Sequence, residues 1–271
     1  MKLAISNIAW DTSIEKEIAS ILKDLNVKGV EVAPTKINSN PKELTDRDII
    51  KYREFWEGYG IKVVAMQALL FGRPELKIFE NDLKRKDTFE YLKWIIRIGG
   101  LLDARVLVFG SPKNRDIGRL KREEAENIAV TFFQGIGDYS LKYNLKTCIE
   151  ANPPEYGCNF ITDTKEAFDL VQKVNNKGFG LHIDLGGMLL SGEDFKVLHN
   201  YRGKIEHVHI SQPYLESLNG KNVAVYEKLV DTLEQNNYDH WISIEMKNSS
   251  NSQNDIKNVT KSITLLKSIL V

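Results

Sequence analysis

Four residues in the second half of the chain are of types that can do chemistry, and each sits where it needs a reason. They are Glu150 in "CIEAN", Asp184 in "HIDLGG", His209 in "HVHIS" and Glu245 in "SIEMK". Each interrupts a short apolar run. A carboxylate in such a run is costly unless something pairs with it. Three carboxylates brought together would also repel one another and raise one another's pKa. A divalent cation removes that problem. Three carboxylates and one imidazole form a mostly oxygen-donor set, which suits Mn²⁺, Mg²⁺ or Co²⁺ and also admits Zn²⁺. The expectation is one such ion per chain, with Asp184 paired to it. Taken singly, an Asp or Glu at a strand end is more often a helix cap or a salt-bridge partner. The repetition over four consecutive runs argues for a ligand set.

Those four runs belong to a series of eight. They read "LAISNIAW" (3–10), "GVEVAP" (29–34), "KVVAMQALL" (62–70), "RVLVFGS" (105–111), "TCIEAN" (147–152), "GLHIDLGG" (180–187), "EHVHIS" (206–211) and "WISIEM" (241–246). They are rich in Val and Ile and mostly too short for helices. The stretches between them carry a helical period. Thr12 and Glu15 have capping-box spacing ahead of a stripe of Ile14, Ile18, Ile21, Leu22 and Leu25. Asp163 and Glu166 repeat the device ahead of Phe168, Val171 and Val174. The last segment spaces Ile256, Val259, Ile263, Leu266 and Leu270 by threes and fours. The mean step between runs is roughly 34 residues, a βα unit. Eight strands alternating with helices predict an α/β fold, a single-domain (β/α)8 barrel over residues 1–271. The rival is an open doubly wound sheet. It is disfavoured because no G-x-G-x-x-G follows the first strand and no G-x-x-x-x-G-K-[ST] occurs.

In such a barrel the site is built at the C-terminal ends of the strands. Glu150, Asp184, His209 and Glu245 then come from strands five to eight and point into one mouth. His182 and His207 precede Asp184 and His209 by two residues, so they share a strand face and lie deeper, as supporting or core histidines. His199 and His240 read as surface residues.

Bulk properties narrow the function classes. The chain has 271 residues, 42% of them hydrophobic, enough for a sizeable core. Lys+Arg and Asp+Glu are both 37, so there is no basic footprint of a nucleic-acid binder. The start, "MKLAISNIAWDTSIEKE", turns polar too early for a signal peptide, and no apolar run is long enough to span a membrane. With Cys148 and Cys158 alone, no disulfide framework is expected, and a reducing cytoplasm is the default.

From Thr147 to Lys247 the series "IEAN…TDTKEAFDLVQKV…GLHIDLGGM…EHVHIS…ISIEM" resembles, in order and spacing, the sugar phosphate isomerase/epimerase family. That family lies within the xylose isomerase-like TIM-barrel superfamily, together with ketose 3-epimerases and apurinic endonucleases. The resemblance extends over nearly the whole chain. It implies that Glu150, Asp184, His209 and Glu245 bind one divalent metal. It further implies that Glu150 and Glu245 exchange a proton, one on each face of the substrate. The chemistry agrees. A proton α to a carbonyl needs a base near it, and the resulting enediolate needs adjacent positive charge.

The substrate is then expected to be a sugar or a polyol-derived carbonyl compound. Glu31, in "GVEVAP", either contacts it or is a structural carboxylate tied to a neighbouring strand. Trp10, Phe71 and Phe109 either wall the pocket or belong to the core. Asn152 and Glu155 lie in "ANPPEYGCN", a loop stiffened by two prolines, and are placed to meet hydroxyls. There are two departures from the family pattern. Gly187 stands where many members have a substrate-contacting His, and "SQPYLESLNGKN" lacks the Arg common in epimerases. Lys247 or Lys221 is the available substitute.

Three other readings stand beside the isomerase. An inosose-type dehydratase begins with the same proton abstraction. A non-catalytic barrel that binds a sugar or metabolite fits Gly187 and the missing Arg. An apurinic endonuclease needs further histidines on the third and fourth strands and after Asp184, and none is there. Neither nucleic acid nor membrane is an expected partner. Homo-oligomerisation is left open.

Overall fold

All eight apolar runs are parallel strands in the computed structural model, which describes residues 1–270. They are β1 (Lys2–Ser6), β2 (Gly29–Val32), β3 (Lys62–Met66), β4 (Val106–Phe109), β5 (Lys146–Glu150), β6 (Phe179–Asp184), β7 (Ile205–Ser211) and β8 (Trp241–Glu245). Each pairs with the next. β1 also pairs with β8, setting Ile5 opposite Ile244. That last pairing closes the barrel and rules out the open sheet.

The helices are α1 (Glu15–Asp24), α2 (Pro34–Ile37), α3 (Asp46–Gly58), α4 (Asp82–Leu101), α5 (Arg122–Leu141), α6 (Thr164–Val174), α7 (Leu185–Leu190), α8 (Val223–Gln235) and α9 (Ser252–Lys267). Their stripes face the sheet. Ile18 and Leu22 of α1, Val171 and Val174 of α6, and Val259, Ile263 and Leu266 of α9 are all buried. Among the described residues no helix is long and apolar enough to cross a membrane.

One helix start differs from the sequence expectation. Thr12 and Glu15 form no capping box. Asp11 instead accepts from the Ser13 amide at 2.9 Å and opens a short 3-10 turn, and α1 begins only after it. An Asx side chain bonded to its own backbone two residues on competes with the helix cap. The Asp163 cap does form, with the Glu166 amide at 2.8 Å, but the Glu166 carboxylate turns to the Thr162 amide at 2.7 Å.

The main core lies between strands and helices. Inside the barrel is a small apolar cluster of Ala4, Val64, Ala65, Val106, Val108 and Cys148, with Trp241 packed against it. Toward the C-terminal ends the interior turns polar, with Glu31, His182, His207 and His209 all buried. Two register shifts fall at these residues, between Val30 and Glu31 and between Leu181 and His182. Such irregularities re-aim side chains beside functional sites.

Candidate metal centre

Alternation along β5 to β8 sends one polar side chain per strand into the mouth. Glu150, Asp184, His209 and Glu245 each offer a ligand atom, and these atoms lie within 4.8 Å of one another. Glu150 has room because the neighbouring position on the β4 side is Gly110. A Cβ there would collide with Glu150 Oε2.

Asp184 has structural partners as well. Its Oδ2 accepts from the Gly187 amide at 2.7 Å, capping α7. The Ser211 hydroxyl donates to its Oδ1 and accepts from the Gly186 amide at 2.7 Å. So Asp184 is a helix cap and a member of the cluster together, held in orientation by both bonds. Ser211 follows His209 by two residues, and the same strand period reveals it.

His209 is held from below. Its Nε2 lies 2.9 Å from Glu31 Oε2, and Glu31 is wholly buried. His207 Nε2 approaches the same oxygen at 3.5 Å and bonds Ser243 Oγ at 3.0 Å. Glu31 is thus the tied structural carboxylate and not a wall of the cavity. The other nitrogen, His209 Nδ1, faces the cluster 3.2 Å from Glu245 Oε2 and 3.9 Å from Glu150 Oε1. It is buried and makes no hydrogen bond. A buried imidazole nitrogen aimed at three carboxylates, its partner nitrogen fixed by a fourth, fits a divalent cation.

Two deeper groupings, Glu31–His207–His209 and Glu150–His182–His209, have similar reach and share His209. The Glu31–His209 contact is itself a hydrogen bond and leaves no room for an ion. Both ring nitrogens of His182 are buried without partners. Burial and the two neighbouring histidines hold its pKa well below the usual value.

The electrostatics are those of a buried acidic cluster. Burial, then Asp184 and Glu245, push Glu150 up to about 8. Burial and then Glu245 raise Asp184 to about 6, against the opposing pull of His209 and Ser211. For His209 burial works downward, but Glu31 and Glu245 outweigh it and hold its pKa well above the usual value. Burial would raise Glu31, yet His209 and His207 hold it well below the usual value.

Above the cluster is a cavity of about 410 Å³ with Glu150, Asp184 and Glu245 in its lining. Asn152 and Lys247 line it too. Other residues named from sequence do not. Trp10 is fully buried against Trp56 of α3, with ring centroids 6.2 Å apart. Phe109 packs on Phe133 in the core, and Phe71 is 70% exposed away from the cavity. Glu155 lies in the wall of a separate outer groove with Asp163 and Glu193. Lys221 is exposed and outside the cavity lining, as are His199 and His240. Gly187 sits beside the cluster, where a Cβ would stand 3.2 Å from Asp184 Oδ2.

Sequence reasoning missed Gln67, Tyr156 and Tyr214, which line the cavity. It also missed Arg115, a fully buried side chain beyond β4. Its guanidinium donates to the carbonyls of Phe160 at 2.9 Å, Glu150 at 2.8 Å and Ile161 at 3.2 Å, and also to that of Gly110. It also donates to Asn152 Oδ1 at 3.2 Å, and no local pattern marks it, because its other partners are backbone atoms.

The family model described as "Xylose isomerase-like TIM barrel" matches residues 19–269. An inosose dehydratase of Clostridium botulinum (strain Alaska E43 / Type E3) is 21% identical over 91% of this chain and 79% of its own length. Among solved structures, a D-psicose 3-epimerase determined in the presence of D-fructose superposes with a TM-score of 0.78. It is 16% identical, and the match covers 100% of this chain and 97% of that one. The IOLI protein with a binding zinc atom superposes with a TM-score of 0.73 at 17% identity, over 100% and 97% of the two chains. At those identities the superpositions speak for the fold alone. The family match spans nearly all of the barrel, and the chain belongs to the xylose isomerase-like TIM barrel family.

Proposed function

We propose that this protein is a divalent-metal-dependent isomerase or epimerase of a sugar or polyol-derived carbonyl compound. It moves a proton α to the carbonyl. One observation carries the reading: three carboxylates and the unpartnered Nδ1 of His209 meet within 4.8 Å at the floor of the cavity. Glu150, Asp184, His209 and Glu245 would hold the ion, with Mn²⁺, Mg²⁺ or Co²⁺ matching the oxygen-rich set and Zn²⁺ accommodated. When bound, it supplies positive charge beside the oxygen that becomes negative as the proton leaves.

The chain's own groups do the rest. Glu31 accepts a hydrogen bond from the His209 Nε2–H, which fixes the tautomer and leaves Nδ1 free to ligate. Ser211 and the Gly187 amide orient Asp184. Glu150 and Glu245 stand on β5 and β8, so the wall curves between them. One, as a carboxylate, takes the proton from one face of the substrate, and the other, as a carboxylic acid, gives its own proton to the opposite face. Asn152 and Gln67 offer amide groups to hydroxyls, and Lys247 is the one cationic side chain in the lining.

The likeness to a D-psicose 3-epimerase and to a zinc-binding barrel supports this reading. The inosose dehydratase relative favours a second one, in which the same proton abstraction is followed by loss of a β-hydroxyl. Proton NMR in deuterated buffer with Mn²⁺, over common ketoses and inososes, tests both. Deuterium entering α to the carbonyl with retained hydroxyls is the isomerase outcome. Deuterium entry with an unsaturated product is the dehydratase outcome. No exchange with any compound would leave a non-catalytic binding barrel.

A further inference from the structure

His182 stands beside the cluster, and the proposed chemistry does not use it. Its side chain is buried on β6, and neither ring nitrogen has a hydrogen-bond partner among the described residues. Unpaired polar atoms are costly to bury, so such a group needs a reason. His207, at the same depth on β7, shows the contrast, because its Nε2 is bonded to Ser243 Oγ at 3.0 Å.

Strand pairing places His182 among the proposed ligands. β5 and β6 set Glu150 opposite His182. The register shift between Leu181 and His182 then sets His182 opposite His207 and Asp184 opposite His209. His182 Nε2 lies 3.9 Å from Glu150 Oε1, too far for a hydrogen bond. Its ring meets that of His209 edge on, with centroids 4.1 Å apart. Glu150, His182 and His209 each offer a ligand atom, all within 4.8 Å of one another.

Nε2 of His209 is engaged by Glu31, so the nitrogen it can offer here is Nδ1. Glu150 and His209 Nδ1 therefore belong to two overlapping donor sets. One adds Asp184 and Glu245, giving three oxygens and one nitrogen. The other adds His182, giving two nitrogens and one oxygen. One ion at a time can use the shared atoms.

The two sets favour different metals. The oxygen-rich set suits Mn²⁺ or Mg²⁺. Two imidazoles and a carboxylate, with a fourth position open, suit tetrahedral Zn²⁺. At ordinary zinc bond lengths a tetrahedral ion spaces its ligand atoms about 3.4 Å apart. Glu150 Oε1 is 3.9 Å from His182 Nε2 and 3.9 Å from His209 Nδ1, so small side-chain movements close the set.

We propose that Glu150, His182 and His209 form a second, deeper seat that takes Zn²⁺ and competes with the upper seat for a single ion. This rests on the reading that Glu150 and His209 hold a divalent metal. His182 precedes Asp184 by two residues on the same strand face, so the lower seat lies farther from the cavity that Asp184 and Glu245 line. Zinc there gives up Asp184 and Glu245. Loading with zinc then draws the positive charge away from the substrate, and His182 makes the site's response depend on which metal is supplied.

The test titrates Zn²⁺ and Mn²⁺ separately into metal-free wild type, His182→Leu and Asp184→Ala. His182→Leu should weaken Zn²⁺ at least about 10-fold and Mn²⁺ less than about 3-fold. Asp184→Ala should do the reverse, weakening Mn²⁺ at least about 100-fold and Zn²⁺ less than about 3-fold. Long-range proton–nitrogen NMR of wild type labelled with ¹⁵N-histidine reads the ligands directly. Zn²⁺ should move ring nitrogens of both His182 and His209 to metal-bound positions, and Mg²⁺ those of His209 alone. If His182→Leu does not fold, this measurement on wild type decides. No zinc uptake, zinc bound with the His182 nitrogens unmoved, or zinc affinity that follows Asp184 and ignores His182 would overturn the proposal. Failure of the upper-seat reading shows separately, as Mn²⁺ that wild type does not take up or that Asp184→Ala binds equally well. The zinc-bound nitrogens still decide the lower seat in that case.

Discussion

Glu31 and Glu150 are both glutamates inside one barrel, and depth separates their roles. Glu31 lies below the cavity and spends its charge on His209 and His207. Glu150 faces the cavity among other carboxylates. Glu31→Gln keeps the size and one acceptor oxygen but removes the negative charge that holds His209 and His207. Metal affinity should fall about 10- to 100-fold, the usual loss when a ligating histidine loses its carboxylate. Titration of Mn²⁺ into the variant checks this, and unchanged affinity would reduce Glu31 to core filling. Glu150→Gln and Glu245→Gln each keep an oxygen and remove a base. Each should still bind substrate and lose turnover by about 10²-fold or more, the scale of a positioned acid–base group. Near wild-type turnover with metal bound would send the search for the base elsewhere. Strand residues were legible in the sequence because alternation fixes which way they face. Trp10 and Glu155 were not. A 3-10 turn at Asn7–Ala9 carries Trp10 out of the β1 period and into the layer against α3. Another at Pro154–Tyr156 sends Glu155 to an outer groove and Tyr156 to the cavity. With three residues per turn, neighbours diverge by about a third of a circle, and no alternation signals which one faces in.

At the scale of elements, all eight strands could be read from the chain, because parallel strands buried on both faces are short apolar runs. What joins their upper ends could not. Arg115 ties the loop after β4 to the end of β5 and to the segment before α6 through carbonyls up to 46 residues away. Arg115→Met should take a donor from several buried carbonyls, of which Ile161 keeps the Asn152 amide and Phe160 the Cys158 thiol, each uncompensated loss being worth about 1–3 kcal/mol. Urea unfolding should show a deficit of at least about 3 kcal/mol, less any relief from water entry. The Glu150 carbonyl would be released as well, so Mn²⁺ affinity should drop in the same variant. A wild-type midpoint would mean that these bonds are redundant with the loop's own packing.

Over the whole molecule, the apo barrel carries an acidic centre at odds with its own burial. Glu150 and Asp184 have folded-state pKa values raised to about 8 and about 6. A carboxylate raised in this way favours the folded state while protonated. Its contribution is full below the unfolded value and is lost as pH rises through the folded one. His209, also raised, acts in the same direction, while His182, lowered by burial, opposes it below the usual histidine value. The metal-free protein should therefore lose stability from about pH 5 to about pH 9, and thermal melts across that range check it. If these groups hold a divalent metal, it should reverse the trend, because it would compete with those protons and favour the folded state. Glu150→Gln should raise the melting temperature of the apo protein at pH 9 by a few degrees, about 2–4 °C for each kcal/mol of relieved repulsion. A pH-independent apo melt would show that water reaches the carboxylates and screens them.

The most direct test is calorimetric titration of Mn²⁺ into metal-free wild type and Asp184→Ala at one pH. Asp184 is the proposed ligand whose removal takes away charge without touching either proposed base. Wild type should take up about one ion per chain, and the variant should bind at least about 100-fold more weakly. Equal stoichiometry and affinity in the two proteins would contradict the metal centre and, with it, the chemistry built upon it.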